Sequence, residues 1–573
     1  MRIKITESKN AKSFYVIKSI YENGSHTSKI VEKLGTLEEV KAKAGDQDPY
    51  EWAKEYAKKL TEEYKQEKQD IILRFKPQSR LEMNEQNCCF GGYLFLKQIY
   101  YRLGLDRICR RISGEYKFEY DLNGILETLI YSRVLSPGSK YSTMEYAGRM
   151  LEKPTFQLHD LYRSLEILSK ESDRIQSELY RNSLNPGKRN DNVLYYDCTN
   201  YYFEMEEANG ICQYGVSKQN KPNPIVEMGL FMDGDGIPLA FCIHSGNTNE
   251  QTTLKPLEKQ IIKDFEHSEF VVCTDAGLSS MENRKFNSIQ NRRFITTQSV
   301  KMMKQFCKDW MFESGGWHLP NDRNVYNLDE IRNEPDKYMN DTFYKERWVN
   351  ENGLEQRYIV TFSLKYERYL KNLRERHLER AKEAIRNPGK IESKRNTDYR
   401  RFVEKMPYTK EGEVADCCTY YLNEKKILEE EKYDGYYAVA TNLEDDAQEI
   451  LKYNGKRWQI EECFRIMKTE FRARPVYLSR EDRIRAHFLT CFLALTVYRY
   501  LEKQLCGAYT CRDVLSTLKE MNFAKIRGEG FMPVYTRTDI TDLLHEKAGF
   551  HTDFNLVSKS NMRKIISETK KKF

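Results

Sequence analysis

The chain has 573 residues, of which 40% are hydrophobic and 31% charged, with a net charge of +7 and a pI near 8.5. That length accommodates about three or four domains with real cores. The longest apolar run, near 488–498, is too short to span a bilayer, and the start Met-Arg-Ile-Lys-Ile-Thr has no apolar signal core. A soluble, non-exported protein is expected, whose mild basicity permits nucleic acid as a partner without demanding it. None of the fourteen cysteines forms a Cys-x-x-Cys pair, and several, such as Cys198, Cys273 and Cys491, sit in apolar runs. They read as small buried hydrophobes in a reducing cytoplasm, not as disulfides or zinc ligands.

In chain order, 13–21 alternates like a strand, meets the turn Glu22-Asn-Gly-Ser, and predicts a partner strand over 27–34, followed by a charged helix over 52–65. Residues 1–75 thus read as a small α/β appendage. Residues 76–190 are predicted to be mostly helical: 93–103, 122–134, 142–150 and 158–180 carry helical periodicity between Pro/Gly turns. Such short helices suit either a helix-turn-helix DNA-binding region or a plain bundle. The texture changes at 191. Asn192-Val-Leu-Tyr-Tyr-Asp197 predicts a short strand with a carboxylate near its end, and Tyr201-Tyr-Phe-Glu a second one. Residues 225–232 and 237–243 flank Asp233-Gly-Asp-Gly and predict a hairpin. A helix over 249–264, a strand over 270–274 that delivers Asp275, a helix over 281–289 and a strand over 293–297 follow. Residues 301–434 break this regularity with a strand over 354–362 and a basic helix over 364–385. Then come a strand over 435–441, a helix over 444–453, an amphipathic helix to Lys468, and a long apolar helix over 483–501.

Three carboxylates stand out: Asp197 and Asp275 at predicted strand ends and Glu461 on a helix. A carboxylate on a buried strand is costly unless it is paired or bound to a cation. Two such strands in one sheet could bring Asp197 and Asp275 together, and an all-oxygen set suits Mg²⁺ or Mn²⁺. Each also has an ordinary reading: Asp197 as a turn cap, Asp275-Ala-Gly as a strand-to-helix corner, Glu461 as part of a surface ion-pair array with Arg457 and Lys468. On the amphipathic helix, Ile460, Phe464, Met467 and Phe471 form one apolar stripe, and Arg457, Glu461 and Lys468 share a face beside it.

Several motifs together resemble bacterial insertion-sequence transposases of the DDE type, in the group marked by a Tyr-Arg-Glu-Lys signature. Leu194-Tyr-Tyr-Asp197-Cys-Thr resembles the first-aspartate strand, and Thr274-Asp275-Ala-Gly-Leu the second-aspartate motif. Gly215-Val-Ser-Lys, Gly229-Leu-Phe, Gly236-Ile-Pro-Leu and Gly246-Asn247 resemble the hairpin stretch between them. Arg457-Trp-Gln-Ile-Glu461 with Lys468 resembles the signature helix, and Arg474-Pro-Val-Tyr and Arg483-Ile-Arg-Ala-His-Phe follow as they do in such transposases. One departure is plain: Asn454 stands three residues before Arg457, where the family has tyrosine, and Tyr453 is one place early. No role is carried over to Tyr453.

The resemblance implies an α/β fold with an RNase H-like core, a mixed sheet flanked by helices. It implies that this core runs over 191–300 and 435–505, with an insertion domain over 301–434 and a C-terminal α/β region over 506–573. Asp197, Asp275 and Glu461 would be the catalytic residues and ligands of two Mg²⁺ or Mn²⁺ ions. Arg457 and Lys468 would contact DNA phosphates, and Trp458 would stack on a flipped base. The implied partners are double-stranded DNA (terminal inverted repeats and target) and a second copy of the chain, in a bacterial cytoplasm at the nucleoid. A metal-dependent nuclease without strand transfer, and a silent transposase-derived DNA-binding protein, are the alternative functions.

Overall fold

The alternation in 13–21 does form a strand, Ala11–Glu22, which pairs antiparallel with Ser25–Thr36 on one side and with Arg2–Ser8 on the other. This sheet is followed by helices Leu37–Ala44 and Pro49–Glu67, the first closed by a capping box between Thr36 and Glu39. Phe14, Val16, Leu34, Val40, Ala53 and Ala57 make the core of this unit. The computed structural model describes residues 1–8, 11–22, 25–45, 47–67, 78, 80, 82–184, 189–387, 398–408 and 417–571. These divide into two units, 1–85 and 86–573.

The larger unit begins with helices Tyr93–Arg102, Leu105–Tyr116, Leu122–Leu135, Lys140–Gly148, Leu158–Lys170 and Ser172–Ser183. Beyond them lies a ten-stranded mixed sheet. We number its strands β1 (Val193–Tyr202), β2 (Ile225–Met232), β3 (Pro238–Ser245), β4 (Val271–Thr274), β5 (Arg293–Gln298), β6 (Trp317–His318), β7 (Val325–Tyr326), β8 (Phe343–Glu351), β9 (Leu354–Phe362) and β10 (Tyr436–Thr441). Their order across the sheet is β7-β6-β8-β9-β10-β5-β4-β1-β2-β3. β1, β4 and β5 run parallel, and β1-β2-β3 form an antiparallel meander with the expected turn at Asp233-Gly-Asp-Gly.

β1 corrects one expectation. Residues 193–202 form one continuous strand, not two short ones, so Asp197 sits mid-strand. The reason is burial on both faces: Tyr195 and Tyr201 enter one core, and Leu194, Tyr196 and Cys198 enter the other. The polar residues Asp197, Thr199 and Asn200 interrupt the strand's apolar pattern and make it read as two strands. The stretch 301–434 supplies β6 to β9, which continue this same sheet past β10, together with helix Leu364–Arg386 and a hairpin of Val403–Tyr408 with Cys417–Leu422. β8 pairs with β9 over its whole length and lay outside the sequence reading.

Four helices matter for the site: α1 (Leu254–Asp264), α2 (Ala447–Gly455), α3 (Trp458–Arg465) and α4 (Glu481–Gln504). α4 is buried nearly all round. It packs against β3 and against helices Leu158–Lys170, Leu122–Leu135 and Tyr93–Arg102, as its apolar sequence requires. α1 also packs on β3, so helices flank the sheet. Near the C-terminus a small sheet joins Cys88–Phe90 to Asn522–Ile526, Gly530–Pro533 and Val557–Ser558. No helix among the described residues is long and apolar enough to cross a membrane.

Candidate active site

The pairing of β1 with β4 sets Val193 beside Val271, Leu194 beside Val272 and Tyr195 beside Cys273. Carried two residues further, that register puts Asp197 beside Asp275 on neighbouring parallel chains, which lie about 4.8 Å apart. Asp197 is half-buried, and its Oδ1 accepts a hydrogen bond from its neighbour's amide, Cys198 N, at 2.7 Å. Burial, and then the Asp275 carboxylate, push the Asp197 carboxyl up to about 6, against the pull of Lys218 and Arg457. Asp275 follows the last residue of β4. Its Oδ1 accepts from Leu278 N at 3.0 Å, so it also closes the turn leaving the strand.

α3 reaches this strand pair from one side. Arg457, at its start, donates through Nη1 to Thr274 O at 3.3 Å and to Thr297 Oγ1 at 2.5 Å. Lys468 lies past the end of α3, inside a wider π-turn over Ile466–Glu470, and its ammonium donates to Thr199 Oγ1 on β1. The chain from Arg457 to Lys468 therefore spans from the ends of β4 and β5 to the middle of β1. Ile460, Phe464, Met467 and Phe471 are buried, so the apolar stripe holds. The break between α2 and α3 falls at Lys456–Arg457, and α2 runs two residues beyond the predicted end of the first helix at 453.

Glu461 is exposed, and its side chain makes no hydrogen bond or ion pair among the described residues. Its neighbour Glu462 is engaged by Arg465, Nε to Oε2 at 2.7 Å. The structure brings Asp197 and Asp275 together, but the oxygens of Asp197, Asp275 and Glu461 do not all lie within 4.8 Å of one another. Trp458 is 61% exposed, an open aromatic face beside the site.

Asn454, in the place of the family tyrosine, is buried. Its Nδ2 donates to Tyr437 Oη at 2.7 Å, and that hydroxyl lies 2.8 Å from Thr297 Oγ1. Asn454, Tyr437, Thr297 and Arg457 thus form one chain of polar contacts leading to the carbonyl just before Asp275. Tyr453 stands outside that chain; its backbone oxygen accepts from Tyr195 Oη at 2.9 Å.

Two charged residues without an assigned role converge on the other side. Lys218 Nζ donates to Cys198 O at 2.6 Å and pairs with Glu250 at 2.7 Å. Burial works to lower its ammonium, yet Glu250, Asp197 and Glu227 together hold it above its ordinary value. Glu227, on β2, is buried, accepts from Asn200 Nδ2 at 3.4 Å, and has Oε2 without a partner among the described residues. Burial and Glu250 push it up to about 7. Lys468 is lowered to about 8 by burial and then by Arg474 and Lys218, against the pull of Glu227 and Asp197. Lys218 stands in the quoted Gly215-Val-Ser-Lys motif, which was its only signal. Glu227 lies in an apolar run that hides it. The motif glycines have structural causes. A Cβ on Gly215 would come within 1.9 Å of Gly246 O, and one on Gly229 within 2.2 Å of the Tyr196 hydroxyl.

The mixed sheet thus sets Asp197 and Asp275 side by side, with Arg457 and Lys468, at the two ends of the segment that carries Glu461, bonded to the same group of strands. Residues 218–497 match the family model described as "Transposase DDE domain", and the chain carries a transposase DDE domain over that range. The match contains Asp275 and Glu461 and begins downstream of Asp197. DDE transposases generally use divalent metal ions. Among solved structures, the piggyBac transposase synaptic complex with hairpin DNA, determined by cryo-EM, aligns at 8% identity over 84% of this chain and 85% of that one, with a TM-score of 0.35. No curated protein matches the chain.

Proposed function

We propose that this protein is the transposase of a bacterial insertion sequence, which cleaves the transposon ends and transfers the freed 3′-hydroxyls into target DNA. The reading rests above all on Asp197 and Asp275, side by side on parallel strands, while Arg457 ties the Glu461 helix to the carbonyl preceding Asp275. The strand order β5-β4-β1-β2-β3 supports an RNase H-like core. In this reading 76–190 is a DNA-binding region, 301–434 an insertion within the core, 506–573 a C-terminal region, and 1–75 an appendage.

The donor set fits divalent cations. Asp197 and Asp275 crowd each other with no cationic side chain bonded to either among the described residues, and Glu461 offers an exposed carboxylate on α3. These three residues would hold two Mg²⁺ or Mn²⁺ ions, which activate an attacking hydroxyl and stabilise the leaving oxygen in phosphodiester chemistry. Arg457 and Lys468 present their charge to the DNA backbone, and Trp458 offers its exposed face to an unstacked base. Lys218 adds positive charge beside Asp197. Holding two ends at once calls for two copies of the chain, most simply related by a two-fold axis.

The test is incubation of the pure protein and Mg²⁺ with its own element's end DNA, scored for nicks, hairpins and joined products. Joined products are expected. Cleavage without joining would make it a nuclease, and binding alone a silent DNA-binding protein. Asp197→Ala, Asp275→Ala and Glu461→Ala should each abolish cleavage with end binding retained. Metal-dependent cleavage by any one of them removes that residue from the site.

A further inference from the structure

Far along the chain from these carboxylates, helix Asp539–Ala548 ends at Gly549, whose φ of 71° turns the backbone back on itself. The turn returns His551 and Asp553 to the end of the helix that carries His545. His545 is fully buried. Its Nε2 lies 2.9 Å from Thr552 Oγ1, which in turn lies 3.0 Å from the Tyr535 hydroxyl. Phe95 meets the ring edge-on. The other ring nitrogen, Nδ1, is buried and has no hydrogen-bond partner among the described residues; the nearest carboxylate oxygen, Asp553 Oδ2, is 4.0 Å away, too far to serve. The His551 ring stacks on His545 at 5.5 Å and 17°, and its Nδ1 lies 3.2 Å from Asp553 Oδ1. One ligand atom from each of the three residues lies within 4.8 Å of the others.

We propose that His545, His551 and Asp553 form a binding site for a zinc-class transition-metal ion, which clips the turn after this helix. A buried imidazole nitrogen without a partner is the feature that asks for a ligand, and two further donor groups stand beside it. Two imidazoles and one carboxylate are a borderline nitrogen/oxygen set, which suits Zn²⁺ over Mg²⁺. Ligand bonds of about 2.0–2.2 Å require the three groups to close in by about 1 Å, and His551 lies on the exposed side of the cluster. Arg537 is bonded to Asp542 at 2.6 Å and makes a longer ion pair with Asp553 Oδ2 at 3.9 Å, which a bound cation would replace. Gln98 Nε2 donates to Ala548 O at 2.7 Å beside the same turn, so the clip would fasten the C-terminal region to helix Tyr93–Arg102.

The probe is Co²⁺, titrated into chelator-stripped full-length protein in the presence of excess Mg²⁺ and followed by its visible ligand-field bands. One Co²⁺ per chain is expected, displaced by Zn²⁺. His551→Ala and Asp553→Asn should each weaken binding by more than about tenfold, and Zn²⁺ should raise the melting temperature of the wild type but not of His551→Ala. The double variant Asp197→Ala/Asp275→Ala should keep the bands. No Co²⁺ binding by the wild type, unchanged affinity in His551→Ala, or loss of the bands only in the double aspartate variant would each overturn the site.

Discussion

Glu227→Gln is the substitution whose size the structure sets most directly. Glu227 is 4% exposed, and its carboxyl is raised from 4.5 to about 7 by burial, with Glu250 adding to the effect and Lys218 and Lys468 opposing it. A carboxyl raised on folding is held best in its protonated form. Its contribution to stability is complete below pH 4.5 and is lost as the pH rises through 7. That rise corresponds to a loss of about 3 kcal/mol by pH 8, against about 1 kcal/mol at pH 5. Glutamine has nearly the same shape, keeps an oxygen for the Asn200 amide, and never ionises. The variant should therefore gain about 2 kcal/mol on the wild type between pH 5 and pH 8. Urea unfolding of the full chain at both pH values, followed by circular dichroism, measures this as the difference between the two proteins' shifts in midpoint. A stability difference that stays the same from pH 5 to pH 8 would show that Glu227 is already ionised without penalty, and the account of its burial would fall.

Lys468→Ala should weaken end binding across sequences and lower the slope of log K against log salt by about 1; an unaltered slope excludes a phosphate contact. Trp458→Ala should leave stability within about 0.5 kcal/mol, because the ring is 61% exposed, yet cost about 1–3 kcal/mol in binding to ends with an unpaired base. Equal binding by both proteins would remove the stacking role. Tyr437→Phe deletes the hydroxyl between Asn454 and Thr297 and should destabilise the chain by about 1–3 kcal/mol, since it strands a buried amide. It should also lower the cleavage rate by loosening Arg457; full stability together with full cleavage would show the polar chain to be incidental.

Much of the architecture was legible because it is written in short-range pattern. The hairpin of β2 and β3 follows from two apolar runs around Asp233-Gly-Asp-Gly, and the buried α4 from its continuous apolar surface. The buried stripe of Ile460, Phe464, Met467 and Phe471 follows from helical spacing. All of these are relations among residues a few positions apart, where backbone geometry alone decides which side chains are neighbours.

The relations that make the site chemical are of another kind. That Asp197 stands beside Asp275 depends on the parallel register of β1 and β4, set by packing across some eighty residues of chain. That Asp197 is mid-strand depends on two cores, one on each face of β1. Lys218, Glu227 and Lys468 come from a loop, a strand and a π-turn, and they shift one another's protonation only because the fold buries them together. Asn454 is a substitution in a motif until Tyr437 and Thr297 are seen beside it, and the engagement of Glu462 by Arg465, next to an exposed Glu461, is visible only in the fold. The sequence by itself determined which residues carry charge and which faces are apolar, because period and spacing are local. Which charges meet, and which stay open for a ligand, was decided by strand register and burial, which are properties of the whole sheet.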